Sequence, residues 1–272
     1  MKNLPVQDIT SLYVIIDDCL EKKEKRVGRN SKLSNNEMIT MVLWGTFFLK
    51  YKCIKDMYNF MKVYHRSSFP NIPDYSNFIR HCHRIIPLIM QLIKNSFNTE
   101  EELLFVDSTM VQVCKKYRAD SHKVAKAVAA FGKNHQGWHY GFKLHATVNT
   151  KGQFCSIHIT PANIHDAQVL PYLVDRPTKV VVGDGGYNAR VMRERLWKER
   201  GVFVLAPPHP KQRTKLMTQW QHILLKARPR IESAFDYLKE HLHLVSSFPR
   251  SITGYLFHYL RVILAYQFLF TF

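Results

Sequence analysis

Residues 179–187 read Lys-Val-Val-Val-Gly-Asp-Gly-Gly-Tyr, and this stretch decides the fold. Val180, Val181 and Val182 are β-branched and wholly apolar, the composition of a short strand buried on both faces. Gly183 ends the run and Asp184 follows at once, so a carboxylate stands where the strand leaves its sheet. Residues 103–107, Leu-Leu-Phe-Val-Asp, repeat the pattern and end on Asp107. Each acid closes a short apolar strand and precedes a small residue, Ser108 or Gly185. If the two strands are neighbours, both carboxylates emerge at one sheet edge, the place where α/β sheets bind ligands.

The surrounding chain fits a mixed sheet. Residues 139–149 and 153–160 alternate in strand fashion around Thr150-Lys151-Gly152, a hairpin signal. Residues 166–173 and 188–200 read as helices, 202–206 as another buried strand stopped by Pro207-Pro208, and 229–243 as a helix with proline in its first turn. Strands alternating with helices predict an α/β domain over 99–272, a mixed sheet flanked by helices and ending in a buried apolar helix. Residues 1–98 read as a small all-α region. Ser34-Asn35-Asn36-Glu37 has capping-box spacing before an apolar run. After Pro70 and Pro73, Ser76 is placed to cap a helix running to about residue 93, interrupted near Pro87. Asn77, Arg80, His81 and Arg84 fall among its apolar residues. Two patterns fit: a helix-turn-helix that enters DNA through Arg80 and Arg84, or a helical bundle with a solvated basic face.

Lys and Arg number 39 against 21 Asp and Glu, a formal charge of +18 and a pI near 9.7. Fifteen basic against 8 acidic residues precede position 99, and 24 against 13 follow it. The excess therefore covers the whole chain rather than one tail and suits a polyanion. The five cysteines are isolated and odd in number, which excludes a zinc ribbon or a disulfide framework and fits a reducing, cytoplasmic setting. Lys2, Asp8, Asp17 and Asp18 break any secretory leader. The apolar residues 252–272 are interrupted by His258, Arg261 and Gln267, short of a membrane span.

Residues 201–231 contain no acid but carry Lys211, Arg213, Lys215, Lys226, Arg228 and Arg230; Glu232 is the first carboxylate after them. It sits one turn into its helix, at the margin of the apolar stripe Ile231, Phe235, Leu238 and Leu242. Three carboxylates in a basic chain suit two divalent ions, Mg²⁺ or Mn²⁺, which activate the attacking oxygen and stabilise the leaving one in phosphodiester cleavage. Arg228 and Lys239, at −4 and +7 from Glu232, fall on its side of an ideal helix and are placed to meet phosphates. Lys115, Lys116, Arg118, Lys123, Lys126 and Lys133 form an arm that is either DNA-binding or merely solvated; with only Asp120 opposing them, DNA binding is expected.

At this point the blocks Val106-Asp107-Ser108-Thr109, Gly141–His145, Thr160–Asp166, Gly183–Tyr187 and Arg228-x3-Glu232-x6-Lys239 resemble those of bacterial insertion-sequence transposases of the DDE type. The resemblance implies an RNase H-like core and Asp107, Asp184 and Glu232 as a catalytic, metal-holding triad. It implies cleavage at transposon ends followed by strand transfer into target DNA, with double-stranded DNA as partner and a homodimer in the DNA complex. Arg228 and Lys239 match its signature Arg and Lys; the signature tyrosine falls at 225, where this chain has Leu225. Lys143, His145, His165 and Tyr187 lie in the matching blocks and are read as further DNA contacts, with packing as the alternative for Tyr187. Trp138 and Trp220 offer either stacking on a base or core packing. Two rivals share the motifs: a stand-alone metal-dependent nuclease and a DNA-binding relative without catalysis.

Overall fold

The computed structural model describes residues 8–20, 31–134, 137–208, 216–246 and 248–271. Most of the basic run at 22–32, together with Lys211, Arg213 and Lys215, lies outside them. In chain order the helices and strands are α1 (Ile9–Cys19), α2 (Asn35–Leu43), α3 (Ile54–Tyr64), α4 (Tyr75–Arg84), α5 (Ile86–Asn95), β1 (Leu103–Cys114), β2 (Ala130–Asn134), β3 (Gly137–Val148), β4 (Phe154–Pro161), α6 (Asp166–Leu173), β5 (Val180–Val182), α7 (Arg190–Arg200), β6 (Phe203–Leu205), α8 (Gln219–Ala227), α9 (Pro229–Asp236) and α10 (Ile252–Thr271). They form two compact units, one of residues Phe97–Tyr237 and one of Met1–Ser96 with Leu238–Phe272. The division differs from the expected 99–272, because α10 is apolar nearly all round and finds cover against α2, α4 and α5.

In the helical unit, Ser34 and Glu37 form the expected capping box. The cap of α4 is Asp74, whose carboxylate accepts from Asn77 N at 3.1 Å, so the helix begins before Ser76. The expected break near Pro87 is present: α4 ends at Arg84 and α5 begins at Ile86, with Pro87 in its first turn, where its missing N–H costs nothing. Ten residues separate α3 from α4, and α4 leaves Asn77, Arg80 and Arg84 exposed while burying Phe78, His81 and Cys82.

The other unit holds a six-stranded sheet, ordered β2-β3-β1-β5-β6 with β4 also paired to β3. β3 runs antiparallel to β1, β2 and β4, whereas β5 is parallel to both β1 and β6. β2 pairs with Gly137–Gly141 and β4 with Phe142–Val148, so these two strands follow one another along β3. The expected hairpin is present; the Asn149 side chain holds its turn by accepting from Lys151 N at 2.9 Å and Gln153 N at 3.0 Å. β1 is longer than its apolar opening suggests. It continues seven residues past Asp107, because β3 supplies hydrogen-bond partners through Cys114. Leu104 and Val106 join Val169, Leu170, Leu173 and Leu196 of α6 and α7 in a core on one face. Phe105, between them in the alternation, lies against Arg230 of α9 on the other.

Arg261 anchors the helical unit. It is 1% exposed and donates to Thr46 Oγ1 (2.8 Å), the carbonyls of Tyr51 (3.2 Å) and Lys52 (2.9 Å), and His258 Nδ1 (3.1 Å). No carboxylate pairs with it among the described residues. His258 spends its other nitrogen on the carbonyls of His243 (3.0 Å) and Leu244 (3.1 Å), so it accepts from Arg261 as a neutral ring. Burial, then Arg261, push it down to about 3. Unfolding returns it to about 6.5, so protons favour the unfolded chain below that pH. Above about 6.5 the group adds no slope; as pH falls from there, its contribution to stability is lost at about 1.4 kcal/mol per unit. Urea unfolding of the full chain at about pH 7, 6 and 5 is expected to show this loss. His258→Gln, which keeps a donor and an acceptor, should flatten the slope by one proton's share; equal slopes in the two chains would refute the assignment.

Candidate active site

The parallel register of β1 and β5 sets the site. Leu103, Leu104 and Phe105 pair with Val180, Val181 and Val182. Two residues beyond the last pair, Phe105 and Val182, stand Asp107 and Asp184, so the two acids lie at one level along the strands. The expected adjacency of the two strands is present, but Asp107 lies within β1 rather than at the strand end expected for both acids.

Alternation along β1 then sends Asp107 and Ser108 to opposite faces. On the Phe105 face, Asp107 meets α9. Arg228 reaches Asp107 Oδ2 with Nη1 at 3.4 Å, and its Nη2 donates to Glu232 Oε1. Arg228 and Glu232 are four residues apart, one helical turn, and Ile231, Ala234 and Phe235 bury the adjoining stripe of α9. One guanidinium thus joins two of the three expected carboxylates. Burial raises Asp107 to about 6; the Ser108 N–H at 2.8 Å and Arg228 oppose the rise, and Asp184 and Asp166 add to it.

A fourth carboxylate stands on the other face. Asp166 Oδ1 accepts from Ser108 Oγ at 2.8 Å and from Lys143 Nζ at 3.0 Å. Lys143 also donates to the carbonyl of Ile164 at 2.8 Å. His145 Nδ1 faces Asp166 Oδ1 at 3.5 Å without a hydrogen bond, while its Nε2 meets Thr160 Oγ1 at 2.9 Å. Burial holds His145 below its ordinary range, and Asp166 pulls the other way. A Cβ on Gly186 would lie 3.0 Å from Asp184 Oδ1 and 3.7 Å from Asp166 Oδ2, so glycine keeps open a cradle between two acids. Gly183 is glycine for a similar reason: its Cβ would fall 2.7 Å from the Tyr187 ring and 3.0 Å from Val106.

These contacts change several expected roles. Tyr187 is 0% exposed and packs in the core, with a hydroxyl that finds no partner among the described residues, so it offers DNA no surface. Burial first, then the three aspartates, hold that phenol well above its usual range. Lys143 and His145 are buried and turned toward Asp166 rather than outward. Arg228 faces two carboxylates. His165 caps α6, accepting from Ala167 N at 3.3 Å, and stays exposed. The α-helix on which the spacing to Lys239 rests ends at Asp236; Lys239 lies in a π-turn, Tyr237–His241, and belongs to the helical unit. Trp138 and Trp220 are 50% and 46% exposed, which removes core packing as their explanation. Sequence reasoning missed the role of Asp166. The signal was on β3, where Lys143, His145 and Thr147 alternate with apolar Phe142, Leu144, Ala146 and Val148. A polar stripe on a buried strand needs a partner.

A family model described as a transposase DDE domain matches residues 97–252. The chain belongs to that family. Its mixed sheet and helical N-terminal region agree with an RNase H-like core. As a DDE transposase it is a nucleic-acid phosphoryl-transfer enzyme with DNA as partner, and the family generally uses divalent metal ions. The donors suit such ions: hard carboxylate oxygens, a cradle that a Cβ would fill, and an Asp107 whose charge is disfavoured by burial first and by Asp184 and Asp166 after it. Among the described residues, however, no three His, Cys, Asp or Glu side chains form a ready ligand group. No helix described is long and apolar enough to cross a membrane.

Asp166 is the counter-charge for Lys143, whose side chain is 11% exposed. Asp166→Asn is therefore expected to lower stability by about 2 kcal/mol, measured by urea unfolding, because it leaves a buried ammonium without its anion. Ser108→Ala removes one neutral donor and should cost about 1 kcal/mol. An Asp166→Asn chain as stable as the parent would sink this reading of the pair.

Proposed function

We propose that this transposase cuts DNA at the ends of its element and joins the freed ends to a target strand, with Asp107, Asp184 and Glu232 as the catalytic carboxylates. The observation that carries the proposal is the common level of Asp107 and Asp184, with Glu232 drawn toward Asp107 through Arg228. Those three acids would hold two Mg²⁺ or Mn²⁺ ions, which supply Lewis-acid stabilisation to the attacking and leaving oxygens.

The chain's own groups do the rest. In the first step a water oxygen bonds to phosphorus as the 3′-oxygen leaves, freeing a 3′-hydroxyl. In the second that hydroxyl attacks a target phosphodiester, and the displaced oxygen leaves in turn. Asp107, raised toward neutrality by its surroundings, is the acid most readily relieved by a cation. Arg228 positions Glu232 and keeps α9 against β1. Lys143 and Ser108 hold Asp166 at the rear of the site, so that β1 and α6 stay aligned. Exposed His165, Arg80 and Arg84, together with Lys239, are proposed to grip DNA phosphates, with two copies of the chain engaging two ends.

Asp184→Ala is expected to reduce cleavage of a labelled element end by at least about a thousandfold, while anisotropy titration with the same duplex stays within about threefold of the parent. Normal cleavage by Asp184→Ala would remove it from the triad. A strand-transfer assay with a pre-cut end separates the two enzyme readings: joined product supports transposition, and cleavage without joining supports a nuclease.

A further inference from the structure

The β2–β3 ribbon carries a surface that the cutting site does not use. Its register pairs Phe131 with Tyr140 and Lys133 with Trp138. Residues two apart on a strand share a face, so all four side chains stand on one side of the ribbon. Their contacts agree: the Phe131 and Tyr140 rings are 5.0 Å apart, and Lys133 Nζ lies 5.9 Å from the Trp138 ring centroid. The ribbon's back is seated. Gly132 packs so closely that a Cβ there would fall 2.3 Å from the carbonyl of Ala162 and 2.8 Å from the Met110 side chain. Its front is open toward the tip, where Trp138 is 50% and Phe131 39% exposed, whereas Tyr140 is buried beside His122; Tyr117 on the preceding segment is 78% exposed.

Charge selects the occupant. Lys115, Lys116, Arg118, Lys123, Lys126 and Lys133 are all exposed, and none makes an ion pair among the described residues. A protein–protein interface would be poor in lysine. Lysines interleaved with aromatic faces match a strand that offers both phosphates and free base faces. Duplex DNA presents phosphates and base edges, but its base faces are stacked away.

We propose that the open face of the β2–β3 ribbon binds an unpaired stretch of DNA, with Trp138 and Phe131 stacking on bases and the surrounding lysines neutralising the backbone. The proposal rests on the DNA-cutting reading above for its substrate, but its test needs no cleavage. The full chain is titrated, without added metal, against a fluorescein-labelled oligothymidine of about 12 nucleotides and against a duplex of the same length. Trp138→Ala is expected to weaken oligothymidine binding about tenfold and duplex binding by less than about twofold. Phe131→Ala should act in the same direction, and Trp138→Phe, which keeps a stacking ring, should bind the oligothymidine within about threefold of the parent. Equal losses on both probes, or no loss on either, would overturn the proposal. Asp184→Ala serves as the control: it should bind oligothymidine as the parent does. Failure of the triad would then appear in the cleavage assay alone, and failure of the ribbon in this one alone.

Discussion

The pairing of Phe105 with Val182 is the constraint on which the site depends. It fixes Asp107 and Asp184 at one level, and the alternation of β1 fixes which face each of its residues serves. A one-residue slip would move Asp107 to the α6 face and Ser108 to the α9 face, breaking the contacts of Arg228 and of Asp166 together. The register is held from both sides, by β5 over three residues and by β3 over nearly the whole strand. Gly141 tightens it further: a Cβ there would fall 2.3 Å from the Val111 carbonyl, so the two backbones meet at a distance no other residue permits. The chemistry is therefore positioned by the sheet, and the flanking helices bring their groups to places the strands have already fixed.

The four carboxylates differ in how their charge is met. Asp166 has an internal cation, Lys143, and a hydroxyl donor, so its negative charge is satisfied within the fold. Asp184 spends one oxygen on the Gly186 N–H at 2.9 Å, and no cation pairs with it among the described residues. Asp107 and Glu232 share a single guanidinium. A shared cation cannot fully meet both, and Asp107 is raised toward neutrality as a result of burial and the neighbouring acids. On the proposed reading, an added cation would be held near Asp107 and Asp184, whose charges are less fully met than that of Asp166.

Much of this was legible in the sequence because apolar runs and punctuating residues are local signals. The Val180–Val182 strand, the hairpin at Thr150–Gly152, the capping box at Ser34 and the proline-led α9 all declare themselves within a few residues. The misreadings came from contacts distant in sequence. β1 looked finished at Asp107 because Ser108 and Thr109 are polar, yet β3, more than thirty residues on, supplies its partners. Lys143 and His145 looked like surface groups because their partner, Asp166, belongs to another element. Tyr187 looked available beside two glycines, but Gly183 lets its ring pack and Gly186 leaves room between Asp184 and Asp166. Asp74 took the cap expected of Ser76 because both residues sit within two positions of the helix start and either can accept from a first-turn N–H.

The net charge of +18 is also a poorer guide to DNA contact than its size suggests. Arg228 and Lys143 add to the sum, yet both are turned to carboxylates, Lys143 to Asp166 and Arg228 to Asp107 and Glu232. Arg261 adds to it from a fully buried position, where carbonyls and a neutral histidine take the place of an anion. Arg190 and Arg195 are matched by Glu194 and Glu199 along α7. Among the cations left without an ion pair in the described residues are the six between β1 and the ribbon tip. A field of this kind acts over roughly a Debye length, about 8–10 Å at physiological salt, so its position matters more than its total. The cations that hold the acids in place and those left open to phosphate are different residues, and that separation allows a strongly basic chain to maintain an acidic site.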